Sequence, residues 1–557
     1  MHNKRLPISF FALMFVIFFG ASSSTQTTYG AYSKAQPSQS GPVVNDPNLV
    51  VEKVVDGLEA PTSIAFLGNN DILVTEKNTG NVIEIIDGKT RDTPVLDVQV
   101  ASDLERGLLG MDISKKNDGR VYVFLYYTES GGGEDGDDVK DGVEPKGNVL
   151  KRFEYVDGKL INPITLLNLP AQPGTADRSD HVGGKVVVGL DSNVYVMVGE
   201  MGGHRTLAQN IGDGPDADGT GGILRITQNG KVVPADPIFG DEMPLSLYYA
   251  MGIRNSFGMD FDPLTGNLWD TENGPTMGDE INLVEPGFNS GWALIQGYEV
   301  DDDMDNDAME DDLVQIGDGA YSDPEFVWKV PIGITDIEFL KSSDLGQEYF
   351  GNLFVGDINN GNLYRLTLDD DRTGIIANDN FFGGTGSMSD NKVDTPNEME
   401  PIIFAQGFGG ITDIETGPDG YLYVLTYAGE LYRILPMSEN STPKSQSNSA
   451  TQNDDSDSSP PVPKDAIPAI IVGIYGDDSY LPNPIEIEAG QAISWHNEDL
   501  VAHTVTSGSG DDSDGGSSFD SGPILSKQSY SLTFDEPGSY EYYCVYHPSM
   551  VANIHVN

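Results

Sequence analysis

Glu541-Tyr-Tyr-Cys544-Val-Tyr-His547-Pro-Ser-Met550 lies near the end of the 557-residue chain and contains its one cysteine. The stretch places a thiol, an imidazole and a thioether at a Cys-x-x-His-x-x-Met spacing. A blue-copper centre uses a thiolate, two imidazoles and a weak axial thioether. The second imidazole is expected from upstream, where His503 follows a short apolar run. The sequence therefore predicts a type 1 copper site formed by His503, Cys544, His547 and Met550. A buried cysteine beside an unrelated histidine would not explain a complete and correctly ordered ligand set.

The segments around this stretch alternate like β-strands. Residues 484–495 have the pattern of strands around a turn, and residues 531–543 that of a strand, a turn and a strand entering the copper loop. Residues 466–557 resemble the plastocyanin and amicyanin type of cupredoxin over nearly their whole length. The resemblance implies a β-sandwich that carries out electron transfer. His496 and His555 fall in strand patterns and are interpreted as ordinary strand residues.

Charge limits the partners of the chain. It contains 31 basic and 87 acidic residues, which gives a net charge of −56. Such a surface repels nucleic acid and anionic membranes and attracts cations. We therefore expect no nucleic-acid partner, and solubility in a salty or calcium-containing medium. The length allows two or three domains, and one cysteine excludes a disulfide framework.

The N-terminal 30 residues have the pattern of a secretory signal peptide. Lys4 and Arg5 precede an apolar run over residues 8–20, and small residues follow where cleavage is expected. The run is short for a membrane span, but an uncleaved N-terminal anchor stays open as the alternative. In both cases the rest of the protein is expected outside the cytoplasm, either secreted or at the cell surface.

Residues 45–436 are predicted to be all-β, because alternating apolar segments end in Gly, Asn or Asp clusters and helical periodicity is absent. The chain also repeats itself. Ile334-Thr-Asp-Ile-Glu338 recurs as Ile411-Thr-Asp-Ile-Glu415, and Gly361-Asn-Leu-Tyr-Arg-Leu366 resembles Gly429-Glu-Leu-Tyr-Arg-Ile434. Similar strand openings occur at residues 63–66, 109–112, 185–188 and 257–260. About six such units predict a six-bladed β-propeller, with five or seven blades as alternatives.

A linker is predicted between the two domains, over residues 437–465. Ser, Asn, Gln, Asp and Pro dominate it, so it cannot bury a core and is expected to be flexible. The overall prediction is an all-β protein, a six-bladed β-propeller followed by a cupredoxin β-sandwich. The tether raises the effective concentration of one domain for the other.

Several segments of the propeller carry a family resemblance. They are residues 61–67, 105–110, 181–185, 252–258, 268–282 and 287–292, of which the part from Arg254 to Trp292 is the most specific. Together they resemble the glucose/sorbosone dehydrogenase family, soluble six-bladed propellers that oxidise sugars with pyrroloquinoline quinone (PQQ) and calcium. The resemblance covers about residues 50–436.

The resemblance implies a catalytic site at His181, Glu200, Arg254 and Asn255. Sugar oxidation by a quinone needs a base for the hydroxyl proton, and a neutral imidazole such as His181 suits that role. Glu200 is placed to fix the tautomer of His181, and Arg254 to polarise a developing oxyanion. Arg254 and Asn255 are also the predicted cofactor contacts. Without the resemblance, His181 is better interpreted as a turn residue before Gly183 and Gly184.

The same resemblance implies a calcium site at Gly274, Pro275, Asp279 and Glu280. Hard cations bind carboxylates and backbone carbonyls presented by a turn. Gly274 and Pro275 offer carbonyls, and Asp279 and Glu280 offer carboxylate oxygens shortly afterwards. An acidic surface turn without a cation is the alternative.

Three positions depart from the family pattern. The family holds PQQ with a lysine and two arginines, and here Asn359, Gly410 and Thr412 occupy those positions. PQQ has three carboxylates, so the loss of cationic partners removes charge-assisted hydrogen bonds. We therefore expect PQQ to bind weakly, or the site to take another ligand.

These observations predict an oxidoreductase that acts on the CH–OH group of a sugar or other alcohol. Its electrons would pass to the type 1 copper and then to a redox partner protein. The alternative is a non-enzymatic propeller that binds a glycan, a protein partner or calcium, with redox activity confined to the cupredoxin. A multicopper oxidase is excluded, because it needs copper ligands shared between several cupredoxin domains.

Overall fold

The computed structural model describes residues 41–172, 178–233, 237–300, 308–376, 390–437, 466–472, 479–497, 503–508, 518–521, 524, 529–544 and 550–557. The predicted signal peptide, the predicted linker from residue 438 onward and the predicted copper ligand His547 lie outside the described residues.

Strands form almost all of the regular structure in the described residues. In chain order they are β1 (Val43–Val44), β2 (Leu49–Val55), β3 (Pro61–Gly68), β4 (Asp71–Glu76), β5 (Asn81–Ile86), β6 (Lys89–Thr90), β7 (Leu96–Asp97), β8 (Leu108–Lys115), β9 (Val121–Glu129), β10 (Gly147–Val156), β11 (Lys159–Leu169), β12 (Gly183–Val188), β13 (Asn193–Val198), β14 (Gly222–Thr227), β15 (Tyr248–Met251), β16 (Gly258–Phe261), β17 (Leu268–Glu272), β18 (Asp279–Val284), β19 (Phe288–Asn289), β20 (Ala320–Tyr321), β21 (Phe326–Trp328), β22 (Ile334–Phe339), β23 (Leu353–Asp357), β24 (Asn362–Leu366), β25 (Lys392–Val393), β26 (Ile403–Gln406), β27 (Ile411–Thr416), β28 (Leu422–Thr426), β29 (Leu431–Pro436), β30 (Ile467–Ile471), β31 (Tyr480–Leu481), β32 (Ile485–Ile487), β33 (Gln491–Asn497), β34 (Thr506–Ser507), β35 (Ser529–Phe534), β36 (Gly538–Tyr543) and β37 (Val551–Val556).

Helices are short and few within the same residues. There is one α-helical turn, α1 (Pro396–Met399), and there are 3-10 turns at Val139–Asp141, Leu207–Gln209, Leu245–Leu247, Glu310–Asp312, Gln347–Tyr349 and Glu400–Ile402. None of these described helices has the length and apolar character that crossing a membrane requires.

The strands from β1 to β29 form six sheets, each built mainly from consecutive antiparallel strands. Their strand orders are β3-β4-β5-β6 with β7 beside β5, β11-β10-β9-β8, β12-β13-β14-β15-β19-β20, β16-β17-β18-β21-β25, β1-β26-β24-β23-β22, and β2-β29-β28-β27. The innermost strand of each sheet contacts that of the next, in the order β3, β8, β12, β16, β22, β27 and back to β3. In the last sheet β2 pairs with β29, with Leu49 opposite Pro436, so the two ends of the region share one sheet. The predicted six-bladed propeller is confirmed.

Packing between the blades explains the apolar strands. In β13, Val194 and Val196 belong to a core that contains Phe124 of the preceding blade, whereas Tyr195 and Met197 belong to a core that contains Met259 of the following blade. A central strand with a sheet on each side is apolar on both faces. The strands therefore depart from the strict alternation that a half-exposed sheet would show.

The C-terminal strands form two four-stranded sheets with a shared core. Their orders are β31-β30-β33-β35 and β32-β37-β36-β34. Trp495 of the first sheet and Tyr542 of the second are fully buried, and the Trp495 indole N–H donates to the Tyr542 hydroxyl at 3.2 Å. The predicted β-sandwich is confirmed.

Candidate active site and copper centre

His181 lies in the loop before β12 and has a left-handed backbone, with φ of 57°. A side chain other than glycine rarely adopts this conformation unless its surroundings hold it there. Here the His181 N–H donates to the Glu105 carboxylate at 2.6 Å, and its carbonyl accepts from the Met201 N–H at 3.0 Å. The residue is only 6% exposed. These two backbone contacts fix the direction of the imidazole ring.

Both nitrogens of the His181 ring have partners. Nδ1 lies 2.7 Å from Glu200 Oε1, and Nε2 lies 2.9 Å from Nη2 of Arg254. A guanidinium can only donate hydrogen bonds, so Nε2 accepts and Nδ1 carries the hydrogen. The ring is therefore the neutral Nδ1–H tautomer, and its basic lone pair is on Nε2. Glu200 Oε2 also accepts from the Trp292 indole at 2.8 Å.

Glu200 is charged in this arrangement although it is buried. Burial opposes the charged carboxylate, but the hydrogen bonds from His181 and Trp292 outweigh it and lower the pKa of Glu200 below its usual value. An ionised Glu200 accepts the hydrogen bond from His181 Nδ1–H and so holds the imidazole in this tautomer.

Arg254 and Asn255 complete this cluster. Arg254 Nη1 donates to the Asn273 carbonyl at 2.8 Å, and the guanidinium lies 5.4 Å from the centre of the Trp292 ring. Burial lowers the pKa of Arg254 from its usual value. The Asn255 amide accepts from the Gly183 N–H at 3.1 Å and donates to Glu105 at 3.2 Å. The structure thus brings His181, Glu200 and Arg254 into direct contact, and Asn255 braces the loop that carries His181.

In the predicted calcium segment, Asp279 is occupied by the backbone. Its Oδ1 accepts from the Gly274 N–H at 3.0 Å, and its Oδ2 accepts from the N–H groups of Ile332, Gly333 and Ile334 at 2.8, 2.7 and 3.3 Å. Burial raises the pKa of Asp279 to about 6, against the opposing effect of these bonds. Asp279 therefore connects the loop at Gly274 to the loop at residues 332–334. Because backbone N–H groups already bind both of its carboxylate oxygens, it is less available as a calcium ligand than its sequence position suggested.

Glu280 has a different environment. It lies opposite Glu272 in the pairing of β17 with β18, and the Ser290 hydroxyl donates to Glu272 at 2.5 Å and lies 3.5 Å from Glu280. Burial raises the pKa of Glu272 to about 7, and burial together with the charge of Glu272 raises that of Glu280 well above its usual value. Two adjacent buried carboxyls fit a calcium ion, which takes oxygen ligands and would keep both ionised.

Carboxylates alone do not complete a metal site there. In the described part of the chain, no group of three or more His, Cys, Asp or Glu side chains is arranged to hold a metal ion. A calcium ion beside Glu280 would need backbone carbonyls as well, such as those of Gly274 and Pro275, and the calcium site stays a prediction.

Three of the four predicted copper ligands lie together at one end of the sandwich. His503, Cys544 and Met550 are each fully buried. His503 Nδ1 lies 3.8 Å from Cys544 Sγ. A metal ion with bonds of about 2.0 Å to nitrogen and 2.3 Å to sulfur fits between these atoms at an angle of roughly 125°. The Cys544 N–H donates to the Met550 carbonyl at 3.1 Å, which joins the two ends of the ligand loop. These residues fit a type 1 copper ion.

The comparison with known families decides the identity of both domains. Residues 58–433 match the family model described as Glucose / Sorbosone dehydrogenase. The chain belongs to the glucose/sorbosone dehydrogenase family. Residues 472–557 match the model described as Copper binding proteins, plastocyanin/azurin family, so a copper-binding domain of that type follows the dehydrogenase propeller. The two resemblances inferred from the sequence are confirmed.

Individual relatives agree with this assignment. The chain is 24% identical to aldose sugar dehydrogenase YliI of Escherichia coli over 395 residues, 69% of this chain and 92% of the relative. The copper domain is 36% identical to amicyanin of Paracoccus versutus over 89 residues, 16% of this chain and 63% of amicyanin. The solved structure of the soluble aldose sugar dehydrogenase of E. coli has the same fold, with a TM-score of 0.51, 23% identity and coverage of 70% of this chain and 100% of that one.

Uncharged residues occupy the three positions at which the family resemblance implies cationic contacts to PQQ. Thr412 lines a cavity beside the His181 loop, and its hydroxyl contacts the Leu425 carbonyl at 3.4 Å. A Cβ atom at Gly410 would lie 2.7 Å from Ile358 Cδ1 and 3.0 Å from the Ile358 carbonyl, so a side chain there would require Ile358 to move. Asn359 is uncharged and lies against Gly333. The base and its partners fit the family chemistry, but these residues do not fit a cofactor with three carboxylates.

Sequence reasoning missed three residues that shape this site. Glu105 accepts hydrogen bonds from the backbone of His181 and from Asn255, and Trp292 holds the second oxygen of Glu200. Lys185 Nζ lies 2.8 Å from Asp336 and 2.7 Å from Asp413 in the centre of the propeller. All three lie in segments that carry the family resemblance, which is the signal that could have singled them out. His204 Nε2 lies 2.9 Å from Asp218 Oδ2.

Proposed function

We propose that this protein oxidises the CH–OH group of a sugar or other alcohol at His181 and passes the electrons to its own type 1 copper. The neutral His181 tautomer supports this most directly, because it presents a basic Nε2 that is backed by the ionised Glu200. The family relationship supports an oxidoreductase, and the sandwich supports single-electron transfer by copper.

The proposed reaction removes one proton and one hydride from the alcohol. The O–H bond breaks, and its proton goes to the lone pair of His181 Nε2. The neighbouring C–H bond breaks at the same time, and its hydrogen would leave with the electron pair to a bound quinone, the two-electron acceptor. The two electrons would then pass one at a time to the copper held by the sandwich, and from there to a redox partner protein. Two protons would reach water, one from His181 and one from the reduced acceptor.

Arg254 has a double role in this proposal. At rest its Nη2 donates to His181 Nε2, the atom that must receive the proton. Substrate has to displace this hydrogen bond, after which the guanidinium lies next to the reacting oxygen. A buried cation at that position stabilises the negative charge that develops on oxygen as the proton leaves. Arg254 therefore favours binding of a hydroxyl group that can accept its hydrogen bond.

In a second candidate function, the propeller binds a glycan, a protein partner or calcium without oxidising it. Redox activity is then confined to the copper of the sandwich domain. The uncharged residues Asn359, Gly410 and Thr412 favour it, because they remove the family's means of holding its redox cofactor. For both candidate functions we propose a location outside the cytoplasm, because residues 1–30 have the pattern of a signal peptide.

The colour of the copper distinguishes the two candidates. Full-length, copper-loaded protein is mixed with calcium, a quinone and each member of a sugar and alcohol panel, and the thiolate-to-copper absorption is followed. Oxidation predicts that at least one substrate bleaches the band and that His181→Gln prevents this. His555→Gln, at a half-exposed strand position of the sandwich, is the matched control and should bleach normally. Bleaching that survives in His181→Gln would refute the assigned base.

A further inference from the structure

A cavity of about 250 Å³ adjoins the His181 loop within the propeller. Glu105 and Gly183 line it, and the same two residues bind the His181 backbone and the Asn255 side chain. A ligand in this cavity would therefore lie beside the loop that carries the proposed base. Ligand pockets usually measure about 300–1,000 Å³, so this one suits a small molecule.

The charges in the cavity wall are balanced. Two lysines, Lys77 and Lys185, and two carboxylates, Glu105 and Asp413, line it. Lys185 Nζ lies 2.7 Å from Asp413 and 2.8 Å from Asp336, so two carboxylates already neutralise it. A ligand with several negative charges would meet these carboxylates without a matching excess of cations. Placing unpaired charge in a buried pocket is strongly unfavourable.

The remaining wall is largely apolar and partly aromatic. Leu104, Leu109, Phe257, Ile358 and Tyr427 contribute to it. Ile358 also fills the space beside Gly410, where the family has a cationic side chain. Apolar and aromatic walls favour a flat ring without charge.

We propose that this cavity binds a small uncharged quinone and discriminates against PQQ, which carries three carboxylates. The proposal rests on the proposed function, because it names the two-electron acceptor of that reaction. The chemistry balances: the alcohol loses a proton to His181 and a hydride to the quinone, the reduced quinone passes two electrons to copper in single steps, and two protons reach water, one from His181 and one from the reduced quinone. An uncharged quinone needs no cationic clamp, which accounts for Asn359, Gly410 and Thr412 together.

Two ligands and two variants test the proposal. Binding of PQQ and of a water-soluble dimethoxy-methyl-benzoquinone to the full-length, copper-loaded protein is measured by calorimetry with calcium present. The benzoquinone should bind at least tenfold more tightly than PQQ. Thr412→Arg places a cation in the cavity wall and should raise the affinity for PQQ by roughly 10- to 150-fold, the effect of one charge-assisted hydrogen bond. Thr90→Arg adds the same charge on the exposed strand β6 and should leave both affinities unchanged.

Each other outcome overturns the proposal. Tighter binding of PQQ than of the benzoquinone refutes the charge argument, and binding of neither refutes the assigned ligand class. Equal gains in Thr412→Arg and Thr90→Arg would place the effect outside the cavity. The proposed function is judged separately by copper bleaching. If PQQ binds tightly and sugars bleach the band, the oxidation stands without this inference, and if the benzoquinone binds but no sugar bleaches the band, the inference stands without the oxidation.

Discussion

The copper site and the His181 site differ in how their side chains are prepared for function. At the copper site, His503, Cys544 and Met550 are fully buried, and Sγ and Nδ1 stand 3.8 Å apart, so the protein leaves space for one ion between them. At the other site, both nitrogens of His181 already have protein partners. The predicted copper ligands are therefore arranged to share one ion, whereas His181 is arranged around a hydrogen bond that substrate must replace. Function at the predicted copper site depends on the atoms that bind the ion. Function at the other site depends also on Glu200 and Arg254, which act through their hydrogen bonds to His181.

Removing the Cys544 thiolate tests the predicted copper site and should have the largest effect of the substitutions considered, the loss of its visible absorption. Cys544→Ser replaces the sulfur that binds the ion by a hydroxyl, which neither ionises readily nor gives the intense thiolate-to-copper absorption. We expect complete loss of the visible band in copper-loaded protein, measured by absorption spectroscopy with copper content determined in parallel. A band that persists in Cys544→Ser would show that the chromophore lies elsewhere.

The charge on Glu200 tests the His181 half. Glu200→Gln keeps the size of the side chain but removes the carboxylate that fixes the His181 tautomer, and its amide nitrogen would face the hydrogen atoms donated by His181 or Trp292. We expect the rate of substrate-dependent copper bleaching to fall by about 10²-fold or more, the usual scale for loss of acid–base assistance. The absorption band itself should be unchanged.

Glu348→Gln is the matched control for that experiment, because Glu348 lies in the 3-10 turn at Gln347–Tyr349, away from the His181 cluster. An equal loss of rate in both variants would assign the effect of Glu200→Gln to general damage to the propeller.

The same contrast explains what the sequence could predict. Three of the four predicted copper ligands lie within residues 544–550 and include the only cysteine, so spacing and residue type were enough to name these three. The roles in the propeller depend on contacts between distant segments. Asp336 and Asp413 were seen as members of a repeated motif, but only the closed ring shows that both bind Lys185.

Asp279 shows a second limit of the sequence. An acidic residue after a Gly-Pro turn has the same pattern whether it binds a cation or accepts backbone hydrogen bonds. The structure shows four backbone N–H groups around its carboxylate, and it shows Glu272 beside Glu280, a pairing that the register of β17 and β18 creates. The register follows from strand pairing, which the local sequence does not reveal.

Calcium separates these two acidic residues experimentally. Glu280→Gln should abolish the calcium-dependent rise in melting temperature, because it removes a carboxylate from the proposed ligand pair. Asp279→Asn should lower the melting temperature by a similar amount with and without calcium, because it weakens bonds to the loop backbone. Thermal unfolding with calcium and with a chelator measures both. Equal calcium responses in Glu280→Gln and the unmodified protein would contradict the site.

The pH dependence of stability without calcium sharpens the same test. Burial raises the folded-state pKa of Glu272 from 4.5 to about 7, so the unfolded chain releases its proton first as the pH rises. Stability should therefore be greatest below pH 4.5 for this group and fall between about pH 4.5 and 7, by on the order of 3 kcal/mol. Calcium should remove this decline, because the bound cation stabilises the ionised carboxylates. Denaturant unfolding across this pH range, with and without calcium, measures the free energy of unfolding. In the presence of chelator, this free energy should fall less steeply with pH in Glu272→Gln than in the unmodified protein.

Met550→Leu makes the smallest expected change and tests whether the axial position only adjusts the copper. Met550 is fully buried, and leucine has a similar volume, so we expect a loss of stability below about 1.5 kcal/mol. A thioether donates weakly to the metal and stabilises the oxidised ion more than the reduced one, so its removal should raise the reduction potential. The thiolate-to-copper band should remain, because Cys544 and the histidines still bind the ion. Spectroelectrochemical titration measures both quantities, and Met111→Leu, at a buried position of β8 in the propeller, serves as the control. Loss of the band, or a lower reduction potential, would show that Met550 is needed to form the copper site and does not only change its potential.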